Sequence, residues 1–395
     1  MTTISERLFL PNHALLFDLE QLYRCLQTVP DRRKRRGRRY PLAALLMIGV
    51  LAKLAGQDSS RAIAHWAKLR KHELSRLFQL KRQAMPHYST WSRVLGQAVG
   101  PEEIEQTLGQ FFADQKRSQS PKRGSIQVCL DGKTLRGTIP AGHSHGVHLM
   151  AAYLPEQGVV LMQMQVGDKT NEITTAPKVV QALDLRGVVV TGDAMQAQRE
   201  LSVHIVEAQG DYLWIAKDNQ PEMHEEIALL FQPQQSRPGW SAVPMDFRSA
   251  TTFNKGHGRL EQRTITVSSL LAGYSTFPYL AQVFRLESWA QLTGGRSRHE
   301  IRYGLTSLPA SVASPERLLA LVRGQWGIEN GLHYRRDATM REDHSQLRMG
   351  HAPHLLALLN NTVVGLMARQ GSTNLAELRR EFAYQFDQAL ATLVA

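Results

Sequence analysis

Residues 125–138 read SIQVCLDGKTLRGT. Ile126, Val128 and Leu130 alternate with Gln127 and Cys129 and lead into Asp131, Gly132 and Lys133. This pattern predicts a half-buried strand that delivers a carboxylate at the edge of a sheet, with a glycine turn behind it. A second apolar run, Val188-Val189-Val190-Thr191, delivers Asp193 in the same way after Gly192. A third acid, Glu329, falls in a helix that opens with Ser314 as cap, Pro315 in the first turn and Glu316 behind it. Leu318, Leu319, Val322 and Trp326 form its apolar stripe, and Glu329 lies on the same stripe. A carboxylate there is costly unless it is paired or bound to metal. Gly324 and Gly327 each cost about 1 kcal/mol against alanine inside a helix, so a close neighbour, sheet or DNA, requires them.

Around the first strand the order is β-β-β-α-β-α-β-α. Strands are expected over 148–153 and 159–166, a helix over 172–183, the strand 188–191, a helix near 196–208, a strand over 212–216 and a helix from Pro221. A meander followed by parallel crossovers makes an α/β fold with a mixed sheet. Its first and fourth strands lie side by side, bringing Asp131 to Asp193. That is the ribonuclease H-like arrangement. Before it, residues 1–113 read as an all-α domain and 114–124, without an apolar residue, as a linker. Residues 125–231 form the first part of the catalytic core, 232–313 a β-rich insertion, and 314–395 the helices that complete the core.

The 395 residues carry 47 Lys and Arg against 35 Asp and Glu, a net charge of +12, which favours a polyanionic partner. Seven of the ten residues from Asp31 to Tyr40 are basic: Arg32, Arg33, Lys34, Arg35, Arg36, Arg38 and Arg39. They precede a helix opened by Pro41 and closed by Gly56, a second helix over 60–80, a third capped by Ser89 and a fourth from Pro101. Such a bundle suits duplex DNA, the arginines gripping phosphates while one helix enters a groove. A solvated packing domain remains open on the same residues. Lys255, His257, Arg259 and Arg263, in FNKGHGRLEQR, offer a second phosphate-contacting surface, and Lys133, Arg136, Lys217, Arg323, His333 and Arg336 are further candidates for contacts to DNA. No basic leader precedes an apolar run, and the most apolar stretch, 42–55, is too short to span a bilayer, so a cytoplasmic, nucleoid-associated protein without a membrane partner is expected. Cys25 and Cys129 are read as reduced core residues.

Three crowded carboxylates repel and raise one another's pKa, so the arrangement suits a cation. Oxygen ligands without thiolates select Mg²⁺ or Mn²⁺ over zinc. Two such ions about 4 Å apart activate an attacking oxygen and stabilise a leaving 3′ oxygen, with Asp131 bridging them, Asp193 on one and Glu329 on the other. Glu342 and Asp343 are rivals for the third position. His143, His145 and His148 lack a further ligand pair and read as a polar loop rather than a zinc site. Gly132-Lys133-Thr134 lacks the preceding glycine of a phosphate loop.

Several separated motifs resemble bacterial insertion-sequence transposases of the DDE type, in the group of the H-repeat-associated proteins. VPDRRKRRGRRYPLAALL with HYSTWSRVL resembles the group's N-terminal associated domain. LDGKTLRGT, GDKTNEIT (Asp168, Asn171, Glu172), VVTGDAMQAQRE, DYLWIAKDNQPEMHEEI, KGHGRLEQR and VRGQWGIENGLHYRRDATMRED follow in the group's order. The resemblance implies Asp131, Asp193 and Glu329 as the three acids. It also implies cleavage at the element's ends by a metal-activated water, and joining of the freed 3′ hydroxyl to target DNA, by a homodimer on the DNA. The wider family has tyrosine and arginine seven and four positions before the glutamate, where this chain has Val322 and Gln325; Arg323 stands near the second place, and Arg336 occupies that of a downstream lysine. KDNQ has Asp218 where the group often has glycine. A catalytically silent DNA-binding descendant and a nuclease without strand transfer are the alternative readings.

Overall fold

The structure is a computed structural model and describes residues 13–113, 122–167, 170–217, 219–232, 246–256, 258–292, 296–371 and 374–394. His257, Asp168, Asp218 and most of the expected linker lie outside the described residues. Six helices come first: α1 (His13–Leu26), α2 (Leu42–Leu54), α3 (Ser60–Leu69), α4 (Lys71–Leu77), α5 (Tyr88–Arg93) and α6 (Pro101–Ala113). Pro41 caps α2, whose every residue is buried, and Gly56 follows it at φ +83°. The helix expected over 60–80 is two helices, broken at Arg70 (φ −111°, ψ 26°).

Then come β1 (Ile126–Thr134), β2 (His148–Leu154), β3 (Val159–Val166), α7 (Glu172–Gln181), β4 (Val188–Thr191), α8 (Arg199–Glu207), β5 (Asp211–Ala216) and α9 (Pro221–Leu230). The remainder is β6 (Arg248–Gly256), β7 (Arg259–Ser268), β8 (Gln282–Leu292), β9 (Ser297–Thr306), α10 (Pro315–Ile328), α11 (Ala352–Arg369) and α12 (Leu375–Val394). The strands form one sheet in the order β3-β2-β1-β4-β5-β9-β8-β7-β6. β1 is antiparallel to β2 and parallel to β4, and β4 is parallel to β5. The meander and crossovers are thus those of a ribonuclease H-like fold. The four later strands continue that sheet, because β9 pairs with β5 (Leu213↔Thr306 to Ala216↔Tyr303).

β1 differs from the expectation in two ways. It does not turn after Asp131 but runs on to Thr134, with Gly132 opposite Met150. It is also buried on both faces, as a central strand covered by helices on each side must be. Val128 and Leu130 pack with α7, α8 and α9, whereas Cys129 belongs to the core of the opposite face. That opposite core joins α1–α6 and α11 to Ala151, Tyr153, Val159 and Val160, so the first six helices and the sheet share one apolar interior. No helix of the described residues is long and apolar enough to cross a membrane.

Candidate metal centre

Strand alternation decides where the first acid points. Gln127, Cys129 and Asp131 lie on one face of β1, and α10 lies across that face. Gln127 Nε2 donates to the Leu321 carbonyl (2.7 Å) and to Thr191 Oγ1 (2.9 Å), and Gln325 Nε2 donates to the Leu130 carbonyl (3.2 Å). The glycines permit this approach. A Cβ on Gly324 would stand 1.9 Å from Gln127 Oε1, and one on Gly327 would stand 2.8 Å from Pro155 Cβ. The neighbour they require is the sheet at β1 for Gly324 and the turn between β2 and β3 for Gly327. Val322 and Gln325, which differ from the wider family's pattern, are accounted for here: Val322 is core, and Gln325 also accepts from Thr191 Oγ1 at 2.6 Å.

Held this way, α10 ends at Ile328 and passes into a π-helical turn, Glu329–His333, beside Asp131. One donor atom each from Asp131, Glu329 and His333 lies within 4.8 Å of the others. His333 Nδ1 is 3.5 Å from Asp131 Oδ2 and 3.6 Å from Glu329 Oε2. Asp193 lies two residues beyond the end of the neighbouring strand β4, in line with Asp131, since Cys129 pairs with Thr191 and each acid follows two residues later. It lies outside the close cluster, and its carboxylate accepts from the Met195 amide (2.9 Å).

Burial, then the charges of Glu329 and Glu172, pushes Asp131 up to about 8, and Asp193 adds to the shift. Asp193 is raised by burial and then by Glu172. Glu329 is lowered by His333 first, with Asp131 also contributing, and burial lowers His333. A buried carboxyl raised further by neighbouring acids is a setting that a divalent ion fits. The donor set is oxygen-rich, with one imidazole and no thiolate.

Glu172, in the GDKTNEIT motif but given no role from sequence, is a fourth acid at this centre. Its Oε1 is 2.8 Å from His148 Nε2, its Oε2 accepts from Gln196 Nε2 at 2.9 Å, and a Cβ on Gly132 would lie 2.1 Å from it. Its placement follows from the Asn171 cap, which starts α7 at Glu172. His148 is thus a partner of Glu172, while His143 and His145 are exposed.

Other expectations need correction. Trp326 (53% exposed) and Glu329 (side chain 58% exposed) are not on the packed face of α10; Leu318, Leu321, Val322 and Ile328 are. The face rotates because Gly324 meets β1 and Gly327 meets the turn after β2. Arg336 cannot serve as a phosphate contact: it is 1% exposed, and its Nε donates to Glu342 Oε2 (2.8 Å). His333 is buried between two acids, and Lys133 is buried against Asp337 (2.6 Å) and Asp343 (3.7 Å), so neither presents a free face to DNA. Glu342 and Asp343 are engaged with these cations rather than with the Asp131 cluster.

The remaining basic residues lie outside the core. Lys34, Arg35, Arg36 and Arg39 are exposed, whereas Arg32 pairs with Glu103, Arg33 with Asp31 (2.8 Å), and Arg38 donates to the Asp31 carbonyl (2.6 Å). Arg136, Lys217 and Lys255 are exposed. Arg259 (2.8 Å) and Arg263 (2.6 Å) share Glu261, and Arg323 donates to Asn254 Oδ1 (3.1 Å). Arg259, Arg263, Arg298, Arg302, Arg323 and Trp326 line a cleft of about 520 Å³ that reaches Asn330, next to Glu329. Sequence reasoning missed Arg298, Arg302 and Trp326, whose apolar spacing reads as core.

Against this geometry the comparisons are decisive for the family. Residues 122–364 match the family model described as "Transposase DDE domain", and residues 23–112 match the one described as "DDE_Tnp_1-associated". The chain belongs to the DDE transposase family. "Putative transposase YncI" of Escherichia coli O157:H7 is 27% identical over 366 residues, 88% of this chain and 87% of that protein. "H repeat-associated putative transposase YhhI" of Escherichia coli (strain K12) is 23% identical over 359 residues, 89% and 91% of the two chains. A piggyBac transposase synaptic complex with hairpin DNA aligns over 96% of this transposase-family chain and 78% of that one, with a TM-score of 0.40 and 10% identity.

Proposed function

We propose that this transposase binds the ends of its own insertion sequence, cuts there and joins the 3′ ends to target DNA. Asp131, Asp193 and Glu329 hold two divalent ions, Mg²⁺ or Mn²⁺. The observation that carries the reading is the meeting of Asp131 with Glu329, whose positions are far apart in the chain, with Asp193 just past the end of the adjoining strand β4. Bound there, the ions activate the attacking oxygen and stabilise the leaving 3′ oxygen. The protein's part is to hold the carboxylates and the DNA. Gln127 and Gln325 fix α10 to the sheet so that Glu329 is preset, and Gln196 and His148 hold Glu172 behind Asp131. The arginine-lined cleft beside Glu329 takes duplex phosphates, each cation releasing counterions. Lys34, Arg35, Arg36 and Arg39 form a second grip, Lys217 and Lys255 add to the cleft's rim, and two chains act on paired ends.

The test incubates the chain with precut and uncut DNA carrying its element's ends and Mg²⁺, scoring nicks and joined products. Wild type gives both, and Asp131→Asn gives neither while binding the DNA nearly as tightly. Cleavage by Asp131→Asn overturns the reading, and nicks without joined products from precut ends mark a nuclease instead.

A further inference from the structure

His333 is a side chain that the reading above leaves without work. It is 6% exposed, so it reaches no phosphate. Its Nε2 is buried with no hydrogen-bond partner among the described residues. Its Nδ1 faces Asp131 and Glu329 at 3.5 and 3.6 Å, beyond the usual length of a hydrogen bond. A buried imidazole with neither nitrogen in a normal hydrogen bond calls for an explanation.

The geometry points to His333 Nδ1 as a metal ligand, completing with Asp131 and Glu329 a two-oxygen, one-nitrogen position that takes Mn²⁺ in preference to Mg²⁺. This rests on the reading of Asp131 and Glu329 as metal-holding carboxylates. Donors that each lie about 2.1–2.2 Å from one ion stand roughly 3.0–3.6 Å apart when the angles between them run from right to tetrahedral. The two His333 separations fall in that interval. The helix itself is altered here: α10 gives way to a π-helical turn whose first and last residues are Glu329 and His333. Two other π turns occur among the described residues, at Val94–Ala98 and Arg335–Thr339, but this one sets both donors beside Asp131. Neighbouring cations do not compete, because Lys133 is bound to Asp337 and Arg336 to Glu342. The selectivity follows from the donors: Mg²⁺ demands oxygen and parts with its water reluctantly, whereas first-row transition ions accept imidazole nitrogen.

The experiment loads the metal-free full chain with Mn²⁺ and records pulsed electron paramagnetic resonance, on wild type, on wild type grown with ¹⁵N-histidine, and on Asp131→Asn and His333→Asn. A ¹⁴N coupling on the bound Mn²⁺ that changes to ¹⁵N on labelling supports the assignment without any variant. His333→Asn is expected to lose the coupling and to weaken Mn²⁺ by more than the roughly 10–100-fold that losing an outer-sphere partner costs, with Mg²⁺ changed far less. Mn²⁺ binding that Asp131→Asn removes but that shows no histidine coupling overturns the His333 ligand and leaves the carboxylate centre standing. Mn²⁺ binding indifferent to Asp131→Asn overturns both.

Discussion

Gly132 has no side chain because the space is taken. A Cβ there would meet Glu172 Oε1 at 2.1 Å and His148 Nε2 at 2.5 Å. The residue next to the first acid therefore seats a second acid against it, and Glu172 in turn raises both Asp131 and Asp193. Gly132→Ala is expected to push the Glu172 carboxylate out of place, at a cost of about 1–3 kcal/mol, and to lower strand transfer at least ten-fold. Urea unfolding and the joining assay measure the two effects; unchanged joining would show that Glu172 is idle. At this scale the place of Asp193 just past the end of β4 was legible, whereas Asp131 proved to lie inside β1 rather than at its end. Glu172 was visible only as a helix start, because the contact it makes is between elements. His333 was misread as a DNA contact because the local pattern does not announce the π turn that seats it.

Among the elements, α10 carries the argument from β1 to Glu329, and α11 ties the first six helices to the sheet. The Ser314-Pro315-Glu316 start of α10 was plain in the sequence and Ser314 accepts from the Arg317 amide as a cap should. Its buried face was not, since which stripe packs is decided by where Gly324 touches β1 and Gly327 the turn after β2. The β-rich character of 232–313 was legible, but not that its strands extend the core sheet through the pairing of β9 with β5. Between α6 and α11, Glu105 Oε1 lies 3.0 Å from His354 Nε2, both side chains being buried. Burial raises Glu105 above the usual carboxylate value of 4.5. The folded chain then holds this proton more tightly than the unfolded one, so the contribution is full below about pH 4.5 and is lost as pH rises through the folded value. Glu105→Gln removes that loss. The stability of wild type relative to Glu105→Gln should fall as pH rises above about 4.5 in urea titrations, and a constant difference would contradict this account.

For the whole molecule, the shared interior matters most. The sequence divides at a polar stretch near residue 114, which suggests a bundle and a core that stand apart. In the structure α1–α6 bury the face of β1–β3 together with α11. A chain beginning at residue 122 would expose that face, and exposed apolar surface on this scale favours association. Such a fragment is expected to be insoluble or to lack a cooperative melting transition; a soluble fragment melting near the full chain would show the two parts to be independent. The net charge of +12 pointed to nucleic acid from the outset, but the groove by Glu329 could not be foreseen, because its arginines come from two strands, β7 and β9, and one helix, α10. The central claim is that Asp131, Asp193 and Glu329 share a metal centre, and anomalous scattering from a crystal of the full chain grown with Mn²⁺ tests it most directly. The account predicts anomalous density bonded to Asp131 and to at least one of the other two acids. Ordered, metal-free carboxylates at all three positions, with Mn²⁺ found elsewhere or nowhere, would contradict it.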